Sequence, residues 1–378
     1  MMNHKLDGPV LQYIEENRKE LPELLKTLCR IPAPSHHEEK RAEFCRAYLE
    51  KAGAQGVFID EALNVVYPFQ TEGKNDLTVF MAHTDTVFDE SVPLVPEIRD
   101  GKLYCPGVGD DTASVVSLLT AARCLAQEIA KTDRGLLLVC NSCEEGLGNL
   151  KGIRTLMEHY QGRIREVVSF DSSRDLICNR PVGSLRYRVT ARTGGGHSFS
   201  NFGNRNAVAA LASVISELYA LQIPSGELST YNVGTIRGGT TVNTIAQEAD
   251  MLFEYRSISA DALVRLKDFF FSTLEKHRGN GLELTVETVG ERPCMGDVDP
   301  QKQQELTERC CSVAAELIGT RPKPECGSTD SNLPLSLGIP SVTAGLHIGG
   351  GAHTREEWLE LSSLDTALEL CLAMILNV

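Results

Sequence analysis

Short apolar runs alternate with longer amphipathic segments over much of the chain. The apolar runs lie at residues 77–82, 135–140 and 167–170. They are nearly continuous, which is typical of strands that are buried on both faces. Segments with helical periodicity lie before and between them, at residues 10–30, 37–52 and 112–130. Pro22 is expected to kink or split the first of these helices. Strands that alternate with helices predict an α/β domain with a largely parallel sheet.

The middle of the chain has a different pattern. Residues 184–191 alternate between apolar and polar side chains, as a half-exposed strand does. A helix, two strands, a second helix and a last strand are predicted to follow, at residues 206–221, 231–236, 251–257, 260–277 and 282–289. The order β-α-β-β-α-β predicts a ferredoxin-like α+β domain at residues 182–291. This domain would interrupt a three-layer α/β domain formed by residues 1–181 and 292–378.

Composition and charge narrow the class of protein. The 378 residues carry a net charge of −14 and contain no basic run, which argues against nucleic acid as a partner. No apolar run is long enough to span a bilayer, and residues 1–20 lack the pattern of a secretion signal. A cytoplasmic protein with no membrane partner is therefore expected.

The twelve cysteines are scattered through predicted helices and strands, so they are interpreted as reduced core residues. Cys140 and Cys143 formally make a CxxC motif. A redox or structural zinc role is disfavoured, because two glutamates follow at once and no second motif exists.

Acidic and histidine side chains follow the predicted strands. They are His83 and Asp85, Asp110 and Asp111, Glu144 and Glu145, Asp171, and His353. Ligands of open α/β sheets bind beyond the carboxyl ends of the strands, so these side chains are expected to converge. Two imidazoles and a set of carboxylates are the ligands that two adjacent zinc-like ions need. Two such ions indicate metal-assisted hydrolysis.

Each segment also has a simpler interpretation when it is taken alone. His83 and Asp85 can form a hydrogen bond at a strand end with no metal. One aspartate of the pair 110–111 can cap the following helix. The pair 144–145 can lie on a solvated loop, although two adjacent carboxylates behind a buried strand are unfavourable unless cations or protons compensate.

In combination and in order, these segments resemble the M20 metallopeptidase family, which includes carboxypeptidases, aminoacylases, tripeptidases and deacylases. The matching pattern is H-x-D, then G-x-D-D, then E-E, then D, then a late G-x-H. The resemblance covers nearly the whole chain, including the inserted domain, which is marked by Gly194-Gly-Gly-His-Ser198. Thr112 stands where many members carry lysine.

The resemblance implies a ligand for each position of a two-metal centre. His83 and Asp171 would ligate one ion, Glu145 and His353 would ligate the other, and Asp110 would bridge both. A cis peptide bond after Asp110 is also implied. Zinc is the expected metal, and cobalt and manganese are the alternatives.

The resemblance also implies catalytic roles. Glu144 would be the general base that takes a proton from the bridging water and later delivers it to the leaving amine. Asp85 would orient His83. His197 of the inserted lid domain would stabilise the oxyanion, although a histidine after three glycines can also be a plain surface residue.

Four residues match family positions near the substrate. They are Asn243, Arg256, Ser328 and Thr329. The Arg256 guanidinium could fork onto a free carboxylate, and the alternative is a surface strand residue. The segment 327–330 could equally be an ordinary turn.

The expected reaction is hydrolysis of an amide bond in a small peptide. The alternative is removal of an acetyl or succinyl group from an N-acyl amino acid by the same metal centre. A homodimer through the lid domain is expected from the resemblance. An inactive relative that serves as a binding module would lack a ligand or the base, whereas Glu144 and all five ligands are present.

Overall fold

The computed structural model describes residues 6–378; the first five residues of the predicted domain 1–181 lie outside that range. The strands, in chain order, are β1 (Phe58–Ile59), β2 (Val65–Phe69), β3 (Leu77–His83), β4 (Glu97–Arg99), β5 (Lys102–Tyr104), β6 (Leu136–Asn141), β7 (Ile164–Phe170), β8 (Leu176–Pro181), β9 (Gly183–Arg192), β10 (Gly196–His197), β11 (Ser229–Gly238), β12 (Thr244–Ile245), β13 (Glu248–Ser257), β14 (Glu283–Arg292), β15 (Lys323–Gly327), β16 (Ser341–Ala344), β17 (Gly349–Gly350) and β18 (Trp358–Glu360). The helices are α1 (Gly8–Asn17), α2 (Leu21–Cys29), α3 (Glu39–Lys51), α4 (Ala113–Ala126), α5 (Lys151–His159), α6 (Ala207–Leu218), α7 (Ala260–His277), α8 (Pro300–Ile318), α9 (Asn332–Ser336) and α10 (Ser363–Asn377).

The described chain divides into two compact units. Unit 1 comprises residues 6–181 and 296–378, and unit 2 comprises residues 182–295. Unit 2 ends four residues beyond the boundary expected at residue 291. The reason is that β14 continues to Arg292 and that Cys294 packs into the core of unit 2.

Unit 1 contains an eight-stranded mixed sheet in the order β1-β2-β6-β3-β7-β16-β8-β15. The central strands β6, β3, β7 and β16 run parallel to one another. Helices cover both faces of this sheet, so alternate residues of one strand belong to two different hydrophobic cores. Phe80 and Ala82 of β3 pack with α4 and α10, whereas Val79 and Met81 pack with α5. The predicted three-layer α/β fold is confirmed.

Unit 2 contains a four-stranded antiparallel sheet in the order β11-β13-β9-β14. Helices α6 and α7 pack on one face, where Tyr187 and Val189 contribute to the core. The side chains of Asn206 and Ser259 accept hydrogen bonds from backbone N–H groups in the first turns of these helices and so cap them. The strand order and the two helices confirm the predicted ferredoxin-like arrangement.

Proline splits the first predicted helix. Helix α1 ends at Asn17, and α2 begins at Leu21 with Pro22 in its first turn, where the missing N–H of proline costs no hydrogen bond. None of the helices in residues 6–378 combines the length with the apolar character that crossing a bilayer requires.

Candidate active site

Three neighbouring parallel strands end at one edge of the sheet in unit 1. His83 is the last residue of β3, Asp171 follows β7 directly, and the pair 144–145 follows β6. Because the carboxyl ends of parallel strands meet at the same edge, these side chains converge there. Asp110 approaches from a wide turn at Val108–Thr112, before α4, and its peptide bond to Asp111 is cis.

The Asp110 carboxylate lies between two imidazoles. Its Oδ1 is 3.1 Å from Nε2 of His83, and its Oδ2 is 3.1 Å from Nε2 of His353. Nε2 of His353 is also 3.0 Å from Oε1 of Glu145. One carboxylate therefore faces two histidines through two different oxygens, as a bridging ligand does.

The hydrogen-bond partners of the His83 ring determine which of its nitrogens carries a proton. Nδ1 of its ring lies 3.1 Å from the backbone oxygen of Asp85 and 3.4 Å from that residue's Oδ1. Both are acceptors, so Nδ1 carries the proton, and Nε2 of a neutral ring presents a lone pair to the Asp110 oxygen. Two facing acceptors require a positive charge between them, either a second proton or a cation.

Possible ligand atoms form compact groups among residues 6–378. Within each group the atoms all lie within 4.8 Å of one another. One group is His83, Asp110 and Asp171, and another is Asp110, Glu145 and His353. These two groups share Asp110 and together contain the five ligands expected from the sequence. A third group joins His83 to both glutamates of the pair 144–145.

The titration of these groups reflects an excess of buried negative charge. Burial, together with the charge of Asp110, raises the pKa of Asp171 to about 8. The carboxylates of Asp110 and Glu145 raise the pKa of His353 to about 10. Both shifts favour the state with less negative or more positive charge, so the residues present fit a pair of divalent cations.

Asp85 organises the segment that contains Glu144. Its fully buried carboxylate accepts hydrogen bonds from the backbone N–H groups of Glu144 (2.9 Å) and Glu145 (2.9 Å). The Ser35 hydroxyl also donates to it, at 2.6 Å. The same carboxylate thus fixes both the His83 ring and the backbone of the pair 144–145.

Two supporting residues were missed in the sequence. Ser35 lies in the loop before α3, where no motif marks it. Arg41 of α3 is buried, and its guanidinium donates to the backbone oxygens of Thr84 (2.7 Å) and Ile31 (3.1 Å). Arg41 therefore holds the turn between His83 and Asp85. A charged residue within a helical pattern normally indicates an exposed face, so the role of Arg41 has no signal in the local sequence.

Unit 2 brings His197 and Asn243 together. Strands β10 and β12 pair there, and the Ser198 N–H donates to the Asn243 backbone oxygen at 3.0 Å. Nδ1 of the exposed His197 ring accepts from the N–H groups of Phe199 and Ser200, both at 3.3 Å. The proton of a neutral ring is therefore on Nε2, which makes that atom a hydrogen-bond donor.

Arg256 already has a carboxylate partner within unit 2. Its Nε and Nη2 donate to the two carboxylate oxygens of Glu254, at 3.0 and 3.1 Å. The two residues are two apart on β13 and so share one face of the sheet. The Arg256 guanidinium was expected to bind a substrate carboxylate, and here it binds the Glu254 carboxylate of the same chain.

Ser328 and Thr329 lie in unit 1 after β15. The Thr329 hydroxyl is hydrogen-bonded to that of Thr343, at 2.7 Å, and its N–H donates to the Asn332 side chain. The next residue, Asp330, is buried and accepts from Asn141 at 2.7 Å. Burial and the charge of Glu144 raise the pKa of Asp330. The hydrogen bond from Asn141, the last residue of β6, places Asp330 beside the strand that precedes the pair 144–145.

Solved structures of other proteins have a similar fold. A tripeptidase from Staphylococcus aureus has a TM-score of 0.73 at 21% identity, over 95% of this chain and 98% of the other. A Bacillus subtilis protein described as a dinuclear metal binding peptidase from M20 family has a TM-score of 0.66 at 17% identity, over 96% and 98% of the two chains.

Sequence comparison gives the family. A succinyl-diaminopimelate desuccinylase from Dechloromonas aromatica (strain RCB) is 27% identical over 306 residues, which are 72% of this chain and 80% of that protein. The sequence model of peptidase family M20/M25/M40 matches residues 79–377, a span that includes all the proposed ligands. The expected resemblance is confirmed, and the chain belongs to peptidase family M20/M25/M40.

Proposed function

We propose that the protein is a two-metal amide hydrolase that cleaves a peptide bond in small peptides. The observation that carries this proposal is the position of Asp110, whose two carboxylate oxygens each face a different histidine at 3.1 Å. Family membership supports the same chemistry.

The two ligand groups support the following assignment of residues to the two ions. His83 and Asp171 would hold one ion, Glu145 and His353 would hold the other, and Asp110 would bridge them. We propose zinc, because a mixture of imidazole and carboxylate ligands suits it. When bound, the two ions would polarise the scissile carbonyl and lower the pKa of the attacking water.

The chain's own groups then handle protons and charge. Glu144 takes the proton of the attacking water and transfers it to the leaving nitrogen. Asp85 keeps Glu144 in place, since it accepts the Glu144 N–H at 2.9 Å. His197 would donate a hydrogen bond from Nε2–H to the oxyanion that forms on the former carbonyl oxygen, which is the role that the family resemblance implies.

A second candidate function is removal of an acyl group from an N-acyl amino acid. Relatives named as succinyl-diaminopimelate desuccinylases, at 27% and 28% identity, favour it. Peptidase and deacylase would share the metal ligands and the base. We propose that both kinds of substrate place a free carboxylate near Arg256.

We also propose that the protein is cytoplasmic and forms a homodimer through unit 2. Strand β11 is an edge strand of the unit 2 sheet, so one row of its backbone groups is open to pairing. Helix α6 packs against β11 and exposes small uncharged side chains, among them Ala209, Ala212 and Ser213. The solution mass would test the dimer, and a monomer with full activity would refute it.

Metal content and turnover together test the proposed reaction. Elemental analysis should find about two metal ions per chain. Hydrolysis of a panel of dipeptides, tripeptides and N-acyl amino acids should be lost on chelation and restored by zinc or cobalt. The substrates that are turned over separate the two candidate functions. Failure to bind zinc, cobalt or manganese after incubation with excess metal would refute both.

The Glu144→Gln variant tests the base. Its kcat should fall about 10²- to 10⁴-fold while zinc content stays at the wild-type level. Glu158→Gln is the matched control, because Glu158 is an exposed residue of α5. Full amidase activity in the Glu144→Gln variant would overturn the assignment.

A further inference from the structure

The Glu357 carboxylate is buried against the turn that carries Asp110. Its exposed fraction is 1%. Oε2 accepts the Gly107 N–H at 2.7 Å. Oε1 accepts two more N–H groups, from Gly109 at 2.7 Å and from Asp110 at 2.8 Å. Three backbone donors within one short turn therefore point at a single carboxylate, which is the geometry of a backbone anion-binding nest.

The sequence of the turn makes this geometry possible. Gly107 has a φ of 72°, and a Cβ there would lie 2.6 Å from Cγ2 of Thr86. A Cβ on Gly109 would lie 3.3 Å from Oε1 of Glu357 and 3.4 Å from Nε2 of His347. Glycine at both positions lets the backbone approach the carboxylate closely.

Sheet pairing brings Glu357 to this turn. Strand β18 pairs with β5 in antiparallel register. The pairing continues one step further, where the Cys105 N–H donates to the Glu357 backbone oxygen at 3.1 Å. The residues after β5 lead directly into the turn. Backbone pairing therefore places Glu357 beside the turn independently of its side-chain hydrogen bonds.

The same short segment also carries His353, four residues earlier. Nε2 of His353 reaches the Asp110 side chain at 3.1 Å, while Glu357 holds the Asp110 backbone N–H. Residues 353–357 therefore contact both the side chain and the backbone N–H of Asp110. Other hydrogen bonds hold the base of the turn, such as Val108 N–H to the Cys105 oxygen at 3.1 Å, but they do not involve Asp110.

We propose that Glu357 is a positioning residue that aims Asp110 between the two metal ions and thereby sets their affinity. The inference rests on the proposed metal centre. Three N–H groups of one turn donate to the Glu357 carboxylate, and one of them belongs to Asp110 itself, so this side chain can hold Asp110 in place before a metal arrives. If the ligands already have their bound arrangement, metal binding does not have to offset the free-energy cost of rearranging them, and the affinity is higher.

The Glu357→Gln variant separates this role from plain stability. A glutamine has one oxygen and one NH₂, so at least one of the three N–H donors must face a donor. We expect zinc affinity, measured by competition with a chromophoric chelator, to fall about 10- to 100-fold for at least one ion. Saturating zinc should restore kcat with KM unchanged. Glu356→Gln, which removes the same charge from an exposed neighbour, should behave as wild type.

Urea unfolding of the metal-free proteins completes the test. A Glu357→Gln variant that is less stable yet binds both zinc ions with wild-type affinity has lost only a structural contact, and this result overturns the proposal. If that variant does not fold, the Glu357→Asp variant is measured in the same zinc-affinity assay. Its shorter side chain keeps the charge but cannot reach all three N–H groups, so wild-type zinc affinity in this variant also overturns the proposal. A wild-type chain that binds no zinc overturns the metal centre itself, and the inference with it.

Discussion

Replacing Asp85 with asparagine tests how one buried carboxylate supports the site. The side chain is fully buried. Oδ1 accepts from the N–H of Glu144 and lies 3.4 Å from Nδ1 of His83, while Oδ2 accepts from the N–H of Glu145 and from the Ser35 hydroxyl. Asparagine keeps the shape but replaces one acceptor with an NH₂ group.

The two orientations of the new amide differ in free energy. An NH₂ group at the Oδ1 position would face two donors, the Glu144 N–H and the His83 ring N–H. At the Oδ2 position the Ser35 hydroxyl can turn to accept, and only the Glu145 N–H is left without an acceptor. The second orientation is therefore preferred. It costs about 1.5–3 kcal/mol, the contribution of one hydrogen bond to a charged group.

Two measurements follow from this estimate. Urea unfolding of the metal-free Asp85→Asn variant should show a loss of about 2 kcal/mol. Chelator competition should show zinc affinity reduced about 10- to 100-fold, because the His83 ring loses its anionic partner. Asp76→Asn is the control, since Asp76 is exposed and precedes β3. Unchanged stability together with unchanged zinc affinity in Asp85→Asn would refute the reasoning.

Three further predictions concern substrate binding, backbone conformation and acid stability. Glu254 pairs with both Arg256 and Arg186. Glu254→Gln should lower the KM several-fold for a substrate with a free carboxylate, because Arg256 loses its anionic partner; an equal change for the matching amide would contradict this. Ala at Gly107 or Gly73 adopts a left-handed conformation (φ 72° and 70°), at a cost of about 1–2 kcal/mol. Only at Gly107 does the Cβ meet another side chain, so urea unfolding should show about 1–3 kcal/mol more loss there; equal losses would refute the steric argument. Burial would raise the pKa of Glu166, but its ion pair with Arg309 (2.5 Å) and a second arginine holds that pKa below its usual range. The ion pair therefore stabilises the fold above about pH 4.3, the pKa of an unfolded glutamate. This stabilisation is lost as the pH falls through the lower pKa of the folded state. Glu166→Gln should be less stable than wild type at neutral pH, and the difference in unfolding free energy should disappear in acid.

The sequence predicts the parts of the site that are carried by strand ends. Continuous apolar runs identify β3, β6 and β7, and the polar residues behind them must then meet at one sheet edge. The position of β16 between β7 and β8 has no local signal, because four residues such as Ser341–Ala344 fit many places in a sheet. Chain order alone does not reveal such an insertion.

Contacts between distant side chains were not predictable from local pattern. Glu357 reaches residues about 250 positions earlier in the chain, and no periodicity links the two. The pairing of Arg256 with Glu254 depends on which rotamer satisfies the guanidinium in the folded sheet. A matching motif indicates which residue type occurs at a position, but its hydrogen-bond partner depends on tertiary packing.

The strand order of unit 1 has a consequence for how the chain is made on the ribosome. Both neighbours of β8, namely β15 and β16, are encoded after the inserted unit. The nascent β8 therefore waits without a partner while unit 2 is translated, although the whole sequence of unit 2 has emerged before unit 1 is complete. Unit 2 is therefore the first of the two units whose sequence is complete, whereas domains usually fold in their order along the chain. An unpaired strand of this kind is prone to aggregate, so slow translation after residue 295 would prolong the interval in which the nascent chain depends on chaperones.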